Sequence, residues 1–251
     1  MTQRDRSEVM HWLNAQLQPE QFRDYGPNGL QVEGRPTITK VVSGVTASLA
    51  LIDAAIEAKA DAILVHHGLF WRGQSGAVTG WMKQRLAKLL NHDINLIAYH
   101  LPLDAHPQWG NNAQLALKLG IEPQPQRFGD QNLGWCGVVP EQSLEHWQAH
   151  VERELGRPAI VVGNPQSKVQ RVAWCTGGAQ GFFEAAMDAG ADVFLTGEIS
   201  EPQAHLARES GVAFMACGHH ATERYGAPAL AQAMAKELGI EHEWIEVSNP
   251  A

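Results

Sequence analysis

IDAAIEAKADAIL, residues 52–64, returns 131 positions later as FEAAMDAGADVFL, residues 183–195. Each copy has the same plan. An Ala-rich amphipathic run closes on Lys-Ala-Asp or Gly-Ala-Asp, and an apolar run follows. That is a helix feeding a strand, the junction from which parallel α/β sheets are built. A second pair, AQLALKLGIE (113–122) and AQAMAKELGIE (231–241), aligns on Leu-Gly-Ile-Glu at an offset of 119. The two halves are therefore read as copies of one unit. The drop in offset places an insertion in the first half, within Leu69–Gly80.

Working outward, strands and helices alternate. Strands are expected at Thr39–Gly44, Ala62–Val65, Ile94–Tyr99, Val169–Cys175, Asp192–Thr196, Val212–Cys217 and His242–Val247. Helices are expected at Ser7–Leu17, Ser48–Lys59, Thr79–Asn91, Asn111–Leu119, Gly181–Ala189, Pro202–Glu209 and Ala227–Leu238. Gly120 and Gly239 close two of these helices as C-caps. Leu133–Pro140, Glu145–Leu155 and Ala159–Val162 read as an extra β-α-β piece between the halves. DYGPNGLQVEG (24–34) reads as a loop. The expected fold is α/β, two pseudo-repeated α/β lobes spanning 1–125 and 126–251, with the metal site between them at the strand C-terminal ends.

Bulk properties narrow the function. The 251 residues carry 19 basic and 27 acidic side chains, a net charge of −8. A broad basic face for nucleic-acid backbone is not available at that balance. The three cysteines, Cys136, Cys175 and Cys217, are widely spaced without a C-x-x-C, so they read as free core thiols. No run approaches the ~18 apolar residues of a membrane span, and the N-terminus lacks a signal-type apolar run. A cytoplasmic protein is the expectation.

The chemistry concentrates in histidines. There are 12 of them, and several follow predicted strands. His66 and His67 follow Val65, His100 and Asp104 follow Tyr99, and His219 and Glu223 follow Cys217. Open α/β sheets bind ligands beyond the carboxyl ends of their strands. At the offset of 119, His100 falls on His219 and Asp104 on Glu223, so each half carries His-x-x-x-acid. Imidazole and carboxylate suit zinc, iron and manganese alike. One ion takes three or four protein ligands, so five or six candidates suggest two ions sharing a carboxylate. Glu198, in the second-half place of His67, and His205 on the following helix are candidate orienting or proton-carrying groups. His220 reads as pointing away from the site, and His106, His92, His11, His146, His150 and His242 read as surface residues.

Taken together, DYGPNGLQVEG (24–34), GVTAS (44–48), VHHGLFW (65–71), HLPLDAHPQWGNNAQLA (100–116), TGEIS (196–200) and GHHATER (218–224) resemble the Nif-three-like dinuclear metal-centre family. Many of its members carry the name type 2 GTP cyclohydrolase I. The chain resembles the short bacterial form. The resemblance implies a duplicated α/β fold, a homo-oligomeric ring, typically a hexamer, and two divalent ions (zinc, iron or manganese) per chain. It implies metal ligands at His66, His67, Asp104, His219 and Glu223, with His100 close by but not a primary ligand. His100 and Glu198 are then the candidate catalytic proton carriers.

The reaction implied is opening of GTP at purine C8 with release of formate. Two-metal sites can make a nucleophile from water near neutral pH and stabilise developing negative charge. Trp71 is placed to stack on a base, and Arg72 or Arg224 to meet phosphate, though a packed aromatic and solvated arginines describe them as well. No Gly-x-x-x-x-Gly-Lys phosphate loop is present. The competing readings are a two-metal hydrolase of another substrate, a non-catalytic metal-binding ring acting through partners, and a DNA-interacting ring, which the charge opposes.

Overall fold

A computed structural model describes residues 2–251. It is a mixed α/β protein that divides into two compact units. The first joins the chain up to Gly110 to Gly226–Ser248; the second joins Asn111–Tyr225 to Asn249–Ala251. No helix among the described residues is long and apolar enough to cross a membrane.

The first unit is built on a five-stranded sheet in the order Glu241–Trp244, Lys40–Thr46, Ala62–His67, Asn95–Ala98, Gly29–Val32. The first four strands are parallel, and Gly29–Val32 runs antiparallel on the edge. Alternate residues feed two cores, as the pleat requires. Val41, Leu64 and Ile97 pack with Val9, Leu13, Leu230 and Met234 on one face. Val42, Ile63, Val65 and Leu96 pack with Leu51, Ile52 and Leu89 on the other. A sheet covered on both faces wants strands without polar alternation, and Ala62–Val65 is such a run. Ser48 starts the helix Leu49–Glu57 by accepting a hydrogen bond from Leu51 N–H at 3.2 Å. Gly44 lets that helix come close, since a Cβ there would lie 2.3 Å from a Leu51 methyl.

The second unit has a six-stranded sheet in the order Glu122–Phe128, Gly134–Ser143, Lys168–Trp174, Val193–Thr196, Ala213–Ala216, Ile160–Val162. Its central three strands are parallel, and Ile160–Val162 runs antiparallel to the last of them. In the first unit Lys40–Thr46, Ala62–His67 and Asn95–Ala98 likewise run parallel with an antiparallel strand beyond the last, so the internal repeat shows in topology as well as in sequence. Trp147, Val151, Trp174, Leu195 and Met215 fill one face. On the other, Phe183, Phe194 and Phe214 make a cluster with ring centroids 5.0–6.1 Å apart.

The units do not follow the expected division at residue 125. The helix Asn111–Leu119 belongs to the second unit, where Asn112 is the pin. Its carbonyl accepts from Trp174 Nε1–H at 3.0 Å and its side-chain oxygen accepts from Thr176 N–H at 3.1 Å, all buried. The helix Gly226–Leu238 belongs to the first unit, where Leu230 and Met234 are buried with Leu13 and Val41. These helices carry the Leu-Gly-Ile-Glu repeat, so the two copies have exchanged equivalent helices. The sequence repeat was legible; the exchange, decided by tertiary packing, was not.

Two further differences have local causes, and one expectation is met. The stretch 24–34, expected as loop, contains the edge strand Gly29–Val32. Glu122–Phe128 is a strand despite two prolines, which a sheet edge tolerates. The loop 68–79 is much longer than its second-unit counterpart 197–200 and carries no helix or strand, at the place expected for the insertion.

Candidate metal-binding residues

In the first unit, three parallel strands end together. The register pairs Thr46 with His67 and Val65 with Ala98, so His66 and His67 lie at the carboxyl edge of the sheet. The chain leaving Ala98 turns through His100 into the short helix Leu101–Ala105, whose Pro102 sits in the first turn and which carries Asp104. His66 is fully buried. Its Nδ1 lies 3.1 Å from the Tyr99 carbonyl, an acceptor only, so Nδ1 carries the proton and Nε2 the lone pair. Nε2 lies 3.5 Å from an oxygen of the buried Asp104. His67 Nδ1 is 3.2 Å from the Thr46 hydroxyl.

His100 joins this pair. One donor atom from each of His66, His67 and His100 lies within 4.8 Å of the other two, a grouping that could hold a metal ion. Three imidazoles fit a divalent transition ion by donor chemistry. The 24–34 segment organises the surroundings. Asp24 accepts from His100 Nδ1–H at 2.7 Å, Asn28 Oδ1 accepts from His100 N–H at 2.8 Å, and Gln31 Oε1 accepts from Leu69 N–H at 2.8 Å. A Cβ at Gly68 would lie 2.2 Å from that Gln31 oxygen and would push the amide off Leu69 N–H. Trp71 sets its ring edge-on to His100, 5.0 Å between centroids, and 5.9 Å from His67.

In the second unit, the helix His219–Glu223 follows the strand Ala213–Ala216. One helical turn brings His219 Nε2 within 3.1 Å of a Glu223 oxygen. Glu198 follows the strand Val193–Thr196 and accepts from His219 Nδ1–H at 2.6 Å. Burial alone would depress this imidazole, but the two carboxylates outweigh it and push its pKa up to about 9. Gly177 closes over Glu223. It holds φ at +71°, and a Cβ there would fall 2.0 Å from Glu223 Oε1. Thr222 Oγ1 accepts from Gly177 N–H at 3.0 Å and fixes that approach.

Each expected site residue thus lies at the carboxyl end of its unit's parallel strands. His66, His67, His100 and Asp104 come together in the first unit, and His219, Glu223 and Glu198 in the second. His205 instead pairs with Glu201 at 2.8 Å on an exposed helix face. Arg224 is occupied by the Leu155 carbonyl at 2.9 Å and lies against the Tyr225 ring; Arg72 is occupied by the Asp24 carbonyl at 2.9 Å. The solvated or structural reading of both arginines fits better than a phosphate contact.

His106, His150 and His242, expected at the surface, are half-buried and have structural tasks. His106 stacks on Trp109 at 4.9 Å, His150 on Trp147 at 5.3 Å, and His242 Nε2 meets the buried Ser43 hydroxyl at 2.8 Å. His220 is buried. The thiols of Cys175 and Cys217 are buried and that of Cys136 is half-buried. Sequence reasoning missed Asp24, Asn28 and Gly177. Asp24 and Asn28 were in view as turn-formers; the signal available was an acid and an amide flanking Tyr-Gly-Pro in a stretch otherwise read only as loop.

Comparison with known proteins agrees with this architecture. The Duf34/NIF3 (NGG1p interacting factor 3) model matches residues 4–250. A protein of Neisseria meningitidis serogroup B named "GTP cyclohydrolase 1 type 2 homolog" is 55% identical over 245 residues, 97% of this chain and 98% of the relative. A Pseudomonas aeruginosa protein of the same name is 51% identical over 248 residues, covering 98% of each. The solved structure titled "protein ybgI, unknown function" superposes with a TM-score of 0.95 at 45% identity, over 99% of this chain and 100% of that one. A match that runs almost from end to end, in sequence and in fold, leaves one conclusion: the chain belongs to the Duf34/NIF3 family.

Proposed function

We propose that the protein is a metal-dependent hydrolase of the type 2 GTP cyclohydrolase I kind, opening a purine ring at C8 with release of formate. The observation that carries the reading is the gathering of His66, His67 and His100, with donor atoms within 4.8 Å of one another. The names of the relatives support the choice of substrate. In this proposal His66, His67, Asp104, His219 and Glu223 are the ligands of two divalent ions. Such ions, when bound, supply Lewis acidity and acidify water near neutral pH.

The chain's own groups have distinct tasks. Tyr99 and Thr46 orient His66 and His67 through their Nδ1 atoms. Glu198 orients His219 through Oε1. Its side chain is about half exposed, so Oε2 can exchange a proton with substrate and then with solvent. Of the two expected proton carriers, Glu198 keeps that role. Trp71, beside the imidazoles, is a wall for a planar base. A hexameric ring is the proposed assembly, to be checked by light scattering.

The test is a product assay. Protein reconstituted with zinc, manganese or ferrous iron is given GTP, and formate and a dihydroneopterin phosphate are sought. Product lost in Glu223→Ala supports the reading. A filled site that yields no product with any metal moves the proposal to another substrate, or to a non-catalytic metal-binding ring.

A further inference from the structure

The strand Ile160–Val162 lies at the edge of the second unit's sheet and runs antiparallel to Ala213–Ala216. The register pairs Phe214 with Val162 and Ala216 with Ile160. Gly163 therefore comes out at the amino end of Ala213–Ala216, where a Cβ on it would lie 2.9 Å from the Ala213 Cβ. The chain reaches His219 from the other end of that strand, roughly 10 Å away at about 3.3 Å per residue. A cavity of about 540 Å³ opens at the amino edge, between the edge strand, the turn 163–167 and the last turn of the helix Glu201–Ser210. It lies within the second unit and shares no residue with the candidate metal ligands.

Its lining divides by chemistry. Val161, Val162 and Ala207 offer apolar surface; Asn164, Ser167 and Arg208 offer hydrogen-bond donors. Asn164 uses Oδ1 to accept from Gln166 N–H at 3.0 Å and its carbonyl to accept from Ser167 N–H at 2.9 Å. Its Nδ2 and the Ser167 hydroxyl have no partner among the described residues. The turn is fixed in advance, since Leu144 N–H donates to the Ser167 carbonyl at 2.9 Å and Glu145 N–H to the Pro165 carbonyl at 3.0 Å. Arg208 alone of the arginines among the described residues has no hydrogen bond, ion pair or ring contact.

Charge and size then select the ligand. No carboxylate lines the cavity. The carboxyl end of the helix brings about −0.5 charge to it, and the full charge of Arg208 outweighs that. In a chain of net charge −8 this is a local reversal of sign. A guanidinium, an amide and a hydroxyl match the three terminal oxygens of a phosphate monoester better than the two of a carboxylate. The volume falls within the ~300–1,000 Å³ of small-molecule sites, so the apolar wall has room for an organic body beside the phosphate.

We propose that this cavity binds a phosphate monoester of a small organic molecule, with the phosphate on Arg208, Ser167 and Asn164 and the organic body against Val161, Val162 and Ala207. It is a second ligand site, at the opposite edge of the sheet from His219 and Glu198, and it stands independently of the metal-binding reading.

The test is titration calorimetry on the full chain with UMP and with ribose 5-phosphate, against uridine and inorganic phosphate. At least one of the two esters should bind with Kd below about 1 mM, and uridine and inorganic phosphate at least ~10-fold more weakly. Arg208→Gln should weaken the ester at least ~10-fold and Ser167→Ala about 3- to 10-fold, the scale of lost bonds to a charged group. Both variants should melt where the unmutated chain does, and His219→Ala/Glu223→Ala should bind the ester unchanged. The proposal is overturned if neither ester binds below about 1 mM, or if Arg208→Gln leaves the affinity unaltered. Loss of binding in His219→Ala/Glu223→Ala also overturns it, because the ester would then sit at the metal-binding residues. Inorganic phosphate that binds as tightly as the esters overturns it too, since the cavity would hold an adventitious ion only.

Discussion

Glu198 and His219 share a 2.6 Å hydrogen bond between a carboxylate oxygen and Nδ1, while Glu223 lies 3.1 Å from the other ring nitrogen. Burial opposes the charged imidazole, yet the paired carboxylates raise its pKa to about 9 from 6.5. A folded-state pKa above the unfolded one gives stability that is complete below the unfolded value and lost as pH rises through the folded one. Chelator-treated protein should therefore lose thermal stability between about pH 6.5 and 9. Melting curves in steps across that window check this, and Glu198→Gln should flatten the slope. An unchanged slope would remove Glu198 from the pair.

Asp24 behaves in the opposite sense. Burial works against its charge, but the His100 ring, Asn28 and Leu101 N–H outweigh burial and hold its pKa at about 2, below the usual 3.8. A depressed carboxylate contributes stability that is present above the unfolded value and is lost as pH falls through the folded one. Acid unfolding followed by circular dichroism from pH 5 to 1.5 should show this loss, and Asp24→Asn should make the acid limb shallower. At neutral pH the same substitution should cost roughly 2–3 kcal/mol, the range for bonds to a buried charged group. A cost near zero would mean these donors find other acceptors.

Much of this was legible in the chain, for a physical reason. Residues 52–67 carry both halves of a helix–strand junction, and fully apolar strands such as Ala62–Val65 state that both sheet faces are covered. His66 and His67 were placed because strand ends can be read locally. Asp24 could not be placed that way. Its partner, His100, is 76 residues distant, and its own neighbourhood spells only a turn. The helix exchange had the same origin, since Asn112 and Leu230 are apt helix residues in either unit, and long-range contacts alone decide which one takes them.

Gly177 tests the second-unit residues without replacing any residue assigned to metal. Alanine there must hold φ near +71° and place its Cβ 2.0 Å from Glu223 Oε1. The left-handed backbone costs about 1–2 kcal/mol, and the contact moves the Glu223 carboxylate. Gly177→Ala should fold, melt slightly earlier and bind metal more weakly than the unmutated chain. Equilibrium dialysis checks it. Unaltered affinity would show that Glu223 tolerates displacement and is no ligand.

Asn95 tests the scaffold apart from the site. It is fully buried. Its side-chain oxygen accepts from Gly34 N–H at 2.9 Å, and its amide donates to the carbonyls of Arg35 at 2.9 Å and Asp61 at 3.1 Å. Asn95→Ala leaves those backbone groups without their partner, at roughly 3 kcal/mol in total. The urea midpoint should fall with an unchanged m-value, since the surface exposed on unfolding is nearly the same. Metal content per folded chain should stay at the unmutated level, because none of the histidines or carboxylates assigned to metal bonds to Asn95. If metal is lost together with stability, the 24–34 segment and the imidazoles form one cooperative unit, and the effects of Asp24 and Asn95 substitutions will not add.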